Sequence, residues 1–508
     1  MSNANEMNRD IDTTRIAAAR AAMAHSDLFN EDLAPTTMAQ RKWSRWNIAS
    51  LWIGMAVCIP TYMLAAGLID GGMSWQQAMF TIILGNIIVL VPMVLNAHAG
   101  TKYGIPFPVL LRASFGTIGS NIAALMRAIV ACGWFGIQTW IGGSAIYTLL
   151  GVLFGLKPGV DDQVIAGLGI SLPQFGCFMI FWLINVAIIL AGIDSIRWLE
   201  TLSAPFLIFV GLGLLAWAVT AAGGLSTILS AETVTKIKST SGTENVSFWK
   251  IFFPSLTSMV GFWATLSLNI PDFSRFARSQ KDQMLGQFYG LPTTMGLYSF
   301  IGIVVTCATV IVFGQAIWDP VQLLARFDSP LIVVLSLLSI IIATLTTNIA
   351  ANVVSPANDF SNLKPTRISF KTGGLITAVI GIVIMPWKLV ADLGNYIFVW
   401  LIGYSALLGP IGGIMLCDYF LIRKQELKVE DLYSRTGIYS YTNGINWKAV
   451  LVLFLAVLPN VPGFINAATH SKIFPAFFDE LYTYSWFVGL PLAAGLYYAV
   501  MKNYVGRE

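Results

Sequence analysis

About twelve stretches of roughly 20 mostly apolar residues follow one another along this chain, each long enough to cross a bilayer as a helix. Of its 508 residues 56% are hydrophobic and only 11% charged, too few charges to cover a water-soluble body of that length. In lipid the backbone must satisfy its own polar groups, which leaves bundled helices or a closed barrel. The runs are continuous and lack the two-residue alternation of barrel strands. The expected fold is therefore all-α and integral to the membrane.

The spacing of the runs suggests an organisation. Residues 1–45 read as a polar N-terminal tail with no apolar core, not as a cleaved signal sequence. Five spans fall in 46–222, a loop covers 223–250, five more spans fall in 251–422, and 423–508 hold a loop, two extra helices and a C-terminal tail. Most of the 30 Lys and Arg residues lie in the tails and the even-numbered loops. The positive-inside rule then places both termini in the cytoplasm of a multi-pass protein of the inner (plasma) membrane. It also makes 223–250 extracellular or periplasmic. The same bias accounts for the net charge of +4, so no nucleic-acid partner is implied. The five cysteines fall inside spans, with no metal-ligand or disulfide spacing.

Two spans share an irregularity. Span one (Trp46–Ile69) reads Gly54-Met-Ala-Val-Cys-Ile-Pro60, and span six (Ile251–Pro271) carries Gly261 and, downstream, Ile270-Pro271. Gly and Pro weaken a helical ladder. Interrupted helices at matching places of two halves mark transporter sites. Packing alone also places Gly and Pro in membrane helices, and both readings stand at this level.

Polar and aromatic groups at membrane depth point to the same region. In span three (Asn121–Leu150), Trp134 lies about 20 Å along the helix, too deep for an interfacial belt. Gln138 follows one turn later on the same face. Trp263 sits beside the presumed break of span six. Span eight (Ser329–Ser355) contains Thr346, Thr347, Asn348 and Asn352. Its hydroxyls, joined by carbonyls freed at a helix break, could form an all-oxygen cation site. Helix packing and back-bonding to the same helix are the plainer roles for each residue alone. No acidic residue or lysine falls near the middle of spans one, three, six or eight, which favours a neutral substrate. No Gly-rich phosphate loop or TVGYG-like filter is present.

At these residues the chain resembles the nucleobase:cation symporter-1 family. The resemblance is carried by Asn30-Glu-Asp-Leu-Ala-Pro35, Gly100-Thr-Lys-Tyr-Gly-Ile-Pro-Phe-Pro108, Trp134-Phe-Gly-Ile-Gln-Thr-Trp140, Asn269-Ile-Pro-Asp-Phe-Ser-Arg-Phe276, Gly286-Gln-Phe-Tyr-Gly-Leu-Pro292, Thr347-Asn-Ile-Ala-Ala-Asn352 and Asp418-Tyr-Phe-Leu-Ile-Arg423. It covers nearly the whole chain, and Trp263–Gly314 is most similar to the allantoin permease branch. It implies a LeuT-like fold of two inverted five-helix repeats plus two C-terminal helices, working by alternating access. It implies a ring held between Trp134 and Trp263 and read by Gln138 and Asn352. It implies a sodium site at Gly54, Val57, Ala343, Thr346 and Thr347, and a gate at Leu401. Two positions depart from the family's pattern. Cys58 stands where relatives usually carry Gln or Asn, and Phe262 replaces a small residue beside the second Trp.

The expected activity is cation-coupled import of a neutral nucleobase-like or ureide ring, with allantoin, uracil and hydantoin the candidates in that order. The expected partners are that small heterocycle, a coupling cation (sodium, with a proton as the alternative) and the bilayer, and the chain is expected to act as a monomer. No cofactor and no enzymatic activity is expected. An amino-acid or thiamine transporter of the same fold is the alternative, and a channel the more distant one.

Overall fold

The computed structural model describes residues 20–21, 23–155, 163–191, 208–391 and 395–504. Among these, regular structure is helical apart from isolated β-bridges. Seven helices are long and apolar enough to cross a membrane, or nine when each of two bent pairs counts as one span. Two shorter apolar helices, Ile208–Ala221 and Phe370–Val383, occupy spans five and nine. The first residues expected for span five, 203–207, lie outside the described residues. The segment 223–250 holds two short helices, Leu225–Ile228 and Ala231–Thr240, where only a loop was expected.

Span one breaks where the sequence suggests. Helix Arg45–Ala56 gives way to Ile59–Asp70 at an angle of 61°. Between them Cys58 is fully extended (φ −144°, ψ 161°). Pro60 explains the location, because in a continuous helix its missing N–H would have bonded the Ala56 carbonyl. That carbonyl instead accepts from the Cys58 amide at 3.0 Å. In the second half Pro60 occupies one of the first two helical positions, where no N–H is needed. Span six is interrupted at Trp263, between Phe248–Phe262 and Ala264–Asn269. The two glycines play different parts. A Cβ at Gly54 would meet nothing within 4 Å, whereas one at Gly261 would lie 2.8 Å from the Leu401 carbonyl. Gly261 therefore serves close packing against span ten.

Span eight runs further than its polar sequence suggests. Helix Pro330–Asn352 continues after Val353 as Val354–Leu363. Asp359 is tolerated there because Arg127 of helix Ser120–Phe154 donates to it at 3.1 Å, both side chains being fully buried. Arg127 is thus a core residue. Its sequence position near a helix end does not make it an interfacial one.

One face of the molecule is crossed by the N-terminal tail. Tyr433 donates to the Leu33 carbonyl at 2.7 Å, Asn30 to the Pro365 carbonyl at 2.8 Å, and Arg275 to the Asp32 carbonyl at 3.0 Å. The Thr36 hydroxyl donates to the Arg275 carbonyl at 2.6 Å, and its amide to the Gly104 carbonyl at 2.9 Å. The tail therefore joins the ends of spans two, six, eight and ten. This is called the tail face below.

Candidate functional site

The two breaks meet spans three and eight around one small cavity of about 30 Å³, with room for about two waters. Its walls include all six residues expected to touch substrate: Cys58, Trp134, Gln138, Phe262, Trp263 and Asn352. The sequence places these on four separate helices, and the fold brings them to one point. Met55, Thr265, Leu266 and Ala351 complete much of the wall.

The aromatic groups are held edge to face. Trp134 meets Phe262 at 5.3 Å between ring centroids, with planes 75° apart. Phe262 meets Trp263 at 5.0 Å and 85°, and Trp263 meets the buried Trp52 at 5.2 Å and 85°. Phe262 therefore lies between the two tryptophans, which makes its departure from the family's small residue a direct change in pocket shape. Cys58 places its Sγ 3.2 Å from the Thr61 hydroxyl.

The polar groups divide into anchored and unanchored. Asn352 donates to the Asn348 side-chain oxygen at 3.1 Å. Asn348 in turn donates to Thr139 Oγ1 and Asn185 Oδ1, each at 3.2 Å. Asn348 is thus a structural link to spans three and four, and it sets the position of Asn352. In contrast, Gln138 Oε1, Trp134 Nε1 and Trp263 Nε1 are buried without a hydrogen-bond partner. Native interiors pair nearly all such atoms, and an orphan calls for an explanation. Here one acceptor and two donors belong to side chains that line a shared pocket, the kinds of group that a ring carrying both C=O and N–H edges would satisfy.

The expected cation ligands also converge. The Thr347 hydroxyl donates to the Gly54 carbonyl at 3.3 Å, across the break of span one. The Thr346 hydroxyl donates to the Ala343 carbonyl at 2.8 Å. Val57 and Ala343 pack in one buried cluster. Thr346 thus back-bonds to its own helix, while Thr347 makes the polar link from span eight to span one. Thr347 also lines the ring pocket, so the two sites share a residue.

Leu401 is fully buried, at the end of a π-helical turn Asn395–Leu401, and its carbonyl accepts from Ser405 at 2.6 Å. Sequence reasoning missed its neighbours. Tyr396, Trp400 and Tyr404 surround Trp134 at 6.1, 6.0 and 6.3 Å. Their spacing of four residues was the available signal, since it puts all three on one helical face. Gly133 admits Trp400, because a Cβ there would come within 2.2 Å of the indole.

Comparison with known proteins gives the family. Residues 35–489 match the family model described as permease for cytosine/purines, uracil, thiamine, allantoin. The chain is similar to a purine-uracil permease of Arabidopsis thaliana, 47% identical over 95% of this chain and 79% of that protein. It is similar to an allantoin permease of Bacillus subtilis, 44% identical over 94% of this chain and 93% of the other. Its structure is similar to that of Mhp1, a nucleobase-cation-symport-1 family transporter solved in a closed conformation with bromovinylhydantoin bound. That likeness has a TM-score of 0.75 at 26% identity, covering 94% of this chain and 95% of Mhp1. These relatives are permeases and not enzymes. A multi-pass helical chain with two broken spans around a cluster of aromatic and amide groups, matched along nearly its whole length, belongs to the nucleobase:cation symporter-1 family of permeases.

Proposed function

We propose that this permease imports a neutral, planar, amide-bearing ring together with sodium, by alternating access, as a monomer in the plasma membrane with its tail face in the cytoplasm. The observation that carries the reading is the buried, unpaired pair Gln138 Oε1 and Trp263 Nε1 in a pocket walled by indoles. Once Phe262 moves aside and the cavity widens from about 30 Å³, a ring stacking on Trp134 and Trp263 would offer an N–H to Gln138 Oε1 and a carbonyl to Trp263 Nε1, and Asn352 would read a further edge. The Arabidopsis and Bacillus relatives bear the names of purine-uracil and allantoin permeases, which supports allantoin and uracil ahead of hydantoin.

Sodium is favoured over a proton because the five expected ligands offer neutral oxygens with no carboxylate among them. Cation binding between spans one and eight would fix the broken helix that carries Cys58 into the ring pocket. Each ligand then raises the other's affinity by the same factor. Leu401, packed on Gly261, is assigned to closure of the face opposite the tail. The expected result is uptake of radiolabelled allantoin or uracil into cells expressing the chain, rising when sodium replaces choline at fixed pH. Uptake indifferent to sodium would move the coupling to protons. No uptake of any of the three rings by membrane-inserted protein would refute the reading.

A further inference from the structure

Between the second half of span one and spans five, seven and eight lies a cavity of about 870 Å³ that shares no wall residue with the ring pocket. Phe209, Ile332 and Leu335 on its wall are each more than half exposed. On the spans of a membrane protein such side chains face lipid, so this cavity is a groove open to the bilayer. A Cβ at Gly213 of span five would meet nothing within 4 Å, and Gly213 lines the groove. Glycine inside a helix is destabilising, so the space beside it is kept open at a cost. The depth fits one leaflet. From Ser329 to Ile342 the wall follows span eight for about 20 Å, at roughly 1.5 Å per residue. Half of a hydrocarbon core is about 15 Å.

The two ends of the groove differ. The connection between spans seven and eight lies on the face opposite the tail, and from it Arg326 and Asp328 join the wall. Arg326 is held in place. Its guanidinium lies over the Phe313 ring at 5.7 Å, and the Gln315 side-chain oxygen, turned toward it, accepts from two of its nitrogens at 2.5 and 3.0 Å. Phe313 stacks on Trp217 at 6.3 Å, and Trp217 packs on Phe327 at 4.7 Å. Among the described residues neither Arg326 nor Asp328 forms an ion pair, with each other or with any other side chain. One charge of each sign thus stands beside an indole, the arrangement found where aromatic belts meet lipid headgroups. At the other end, Ile59 directly follows Cys58 of the ring pocket, and Tyr298 packs on Val57 and Ala343.

We propose that this groove holds one phospholipid of the ethanolamine class, from the leaflet opposite the tail, with an acyl chain along span eight, its phosphate on Arg326 and its ammonium on Asp328. The occupant is a lipid because the groove faces the bilayer and is apolar over a leaflet's depth. Its headgroup carries both charges because the wall offers one of each sign, and its nitrogen bears N–H groups because a carboxylate accepts hydrogen bonds. The acyl chain reaches the break of span one from the side away from the ring pocket, so the lipid props the hinge that carries Cys58. The assignment does not depend on which ring is transported.

The test is lipid retention by the full chain, read by native mass spectrometry after titration in detergent with phosphatidylethanolamine, phosphatidylglycerol and phosphatidylcholine of identical acyl chains. The expected result is one phosphatidylethanolamine per chain, bound about fivefold more tightly than either other lipid. Asp328→Asn is expected to bring phosphatidylethanolamine to the level of phosphatidylcholine and to leave phosphatidylcholine unchanged. Arg326→Gln is expected to weaken all three several-fold. Gly213→Trp, which fills the groove from span five, is expected to abolish the tight site for every headgroup. Should Gly213→Trp fail to fold, Ser336→Trp fills the same groove from span eight, with the same result expected. Equal retention of the three lipids by the unaltered chain would mean ordinary boundary lipid and overturns the site. Tighter binding of phosphatidylglycerol, or a preference for phosphatidylethanolamine that survives Asp328→Asn, overturns the headgroup assignment.

Discussion

At the scale of single residues, the pocket trades stability for recognition, and Gln138 shows how. Its Oε1 is buried with no partner. Such an atom costs about 1–3 kcal/mol of desolvation that nothing returns in the absence of ligand. Gln138→Leu is therefore expected to hold or raise the thermal midpoint while weakening ring binding tenfold or more. A variant that loses stability together with binding would show Gln138 to be a packing residue. Thr347→Ala should abolish sodium stimulation of binding and leave weak sodium-independent binding, because the hydroxyl facing Gly54 is lost. Stimulation that survives would place the cation elsewhere. Much of this was legible in the sequence. Trp134 and Gln138 stand one turn apart at a depth where neither belongs without a reason, and the family motifs assign them. Tyr396, Trp400 and Tyr404 were not singled out, because aromatic residues four apart on an apolar helix are also what ordinary packing produces. Only the distance to Trp134 separates the two cases.

At the scale of elements, Pro60 located the break of span one, since its missing N–H is a covalent fact that folding cannot alter, whereas the break of span six falls at Trp263, eight residues before Pro271. The extension of span eight was not legible. Asp359 looks like a loop residue until its partner is known, and Arg127 lies 232 positions away. The pair makes its own prediction. Arg127→Met alone leaves a buried carboxylate unpaired and should cost about 3–5 kcal/mol, whereas adding Asp359→Leu should recover most of the loss. Chemical denaturation of the three proteins checks this, and additive losses would sink it. Gly133 is the second pressure point. Gly133→Ala must push Trp400 aside and, through it, Trp134. The expected effect is a several-fold weaker ring affinity with sodium stimulation retained, read from uptake at varied ring and sodium concentrations.

At the scale of the whole molecule, the ring pocket lies between a larger cavity of about 600 Å³, lined by Met63 and Ile141 among others, and the tail-bound face. Spans one and six supply one part of the pocket wall and spans three and eight the rest. The tail holds members of both sets, Arg275 beyond span six and Pro365 beyond span eight. Tyr433→Phe removes one of its bonds, worth about 1 kcal/mol. Removing residues 2–35 removes most of them and strips the Leu28 carbonyl from the buried Arg112. Thermal midpoints in detergent should fall in the order unaltered, Tyr433→Phe, truncated. Equal midpoints would mean that the tail carries no load.

The tail also has a history within each molecule's synthesis. It is made first, yet the side chain that holds Leu33 stands 400 positions later. At roughly 5–20 residues per second, about 20–80 seconds separate the emergence of the two. During that interval the tail can meet only its nearer partners, Gly104, Arg275 and Pro365, as each is made, and the contact with Tyr433 comes last of these. Closing the clasp is therefore among the last events of biogenesis, and a chain stalled before Tyr433 would carry its tail incompletely fastened, a mark by which a quality-control protease could tell an unfinished permease from a finished one.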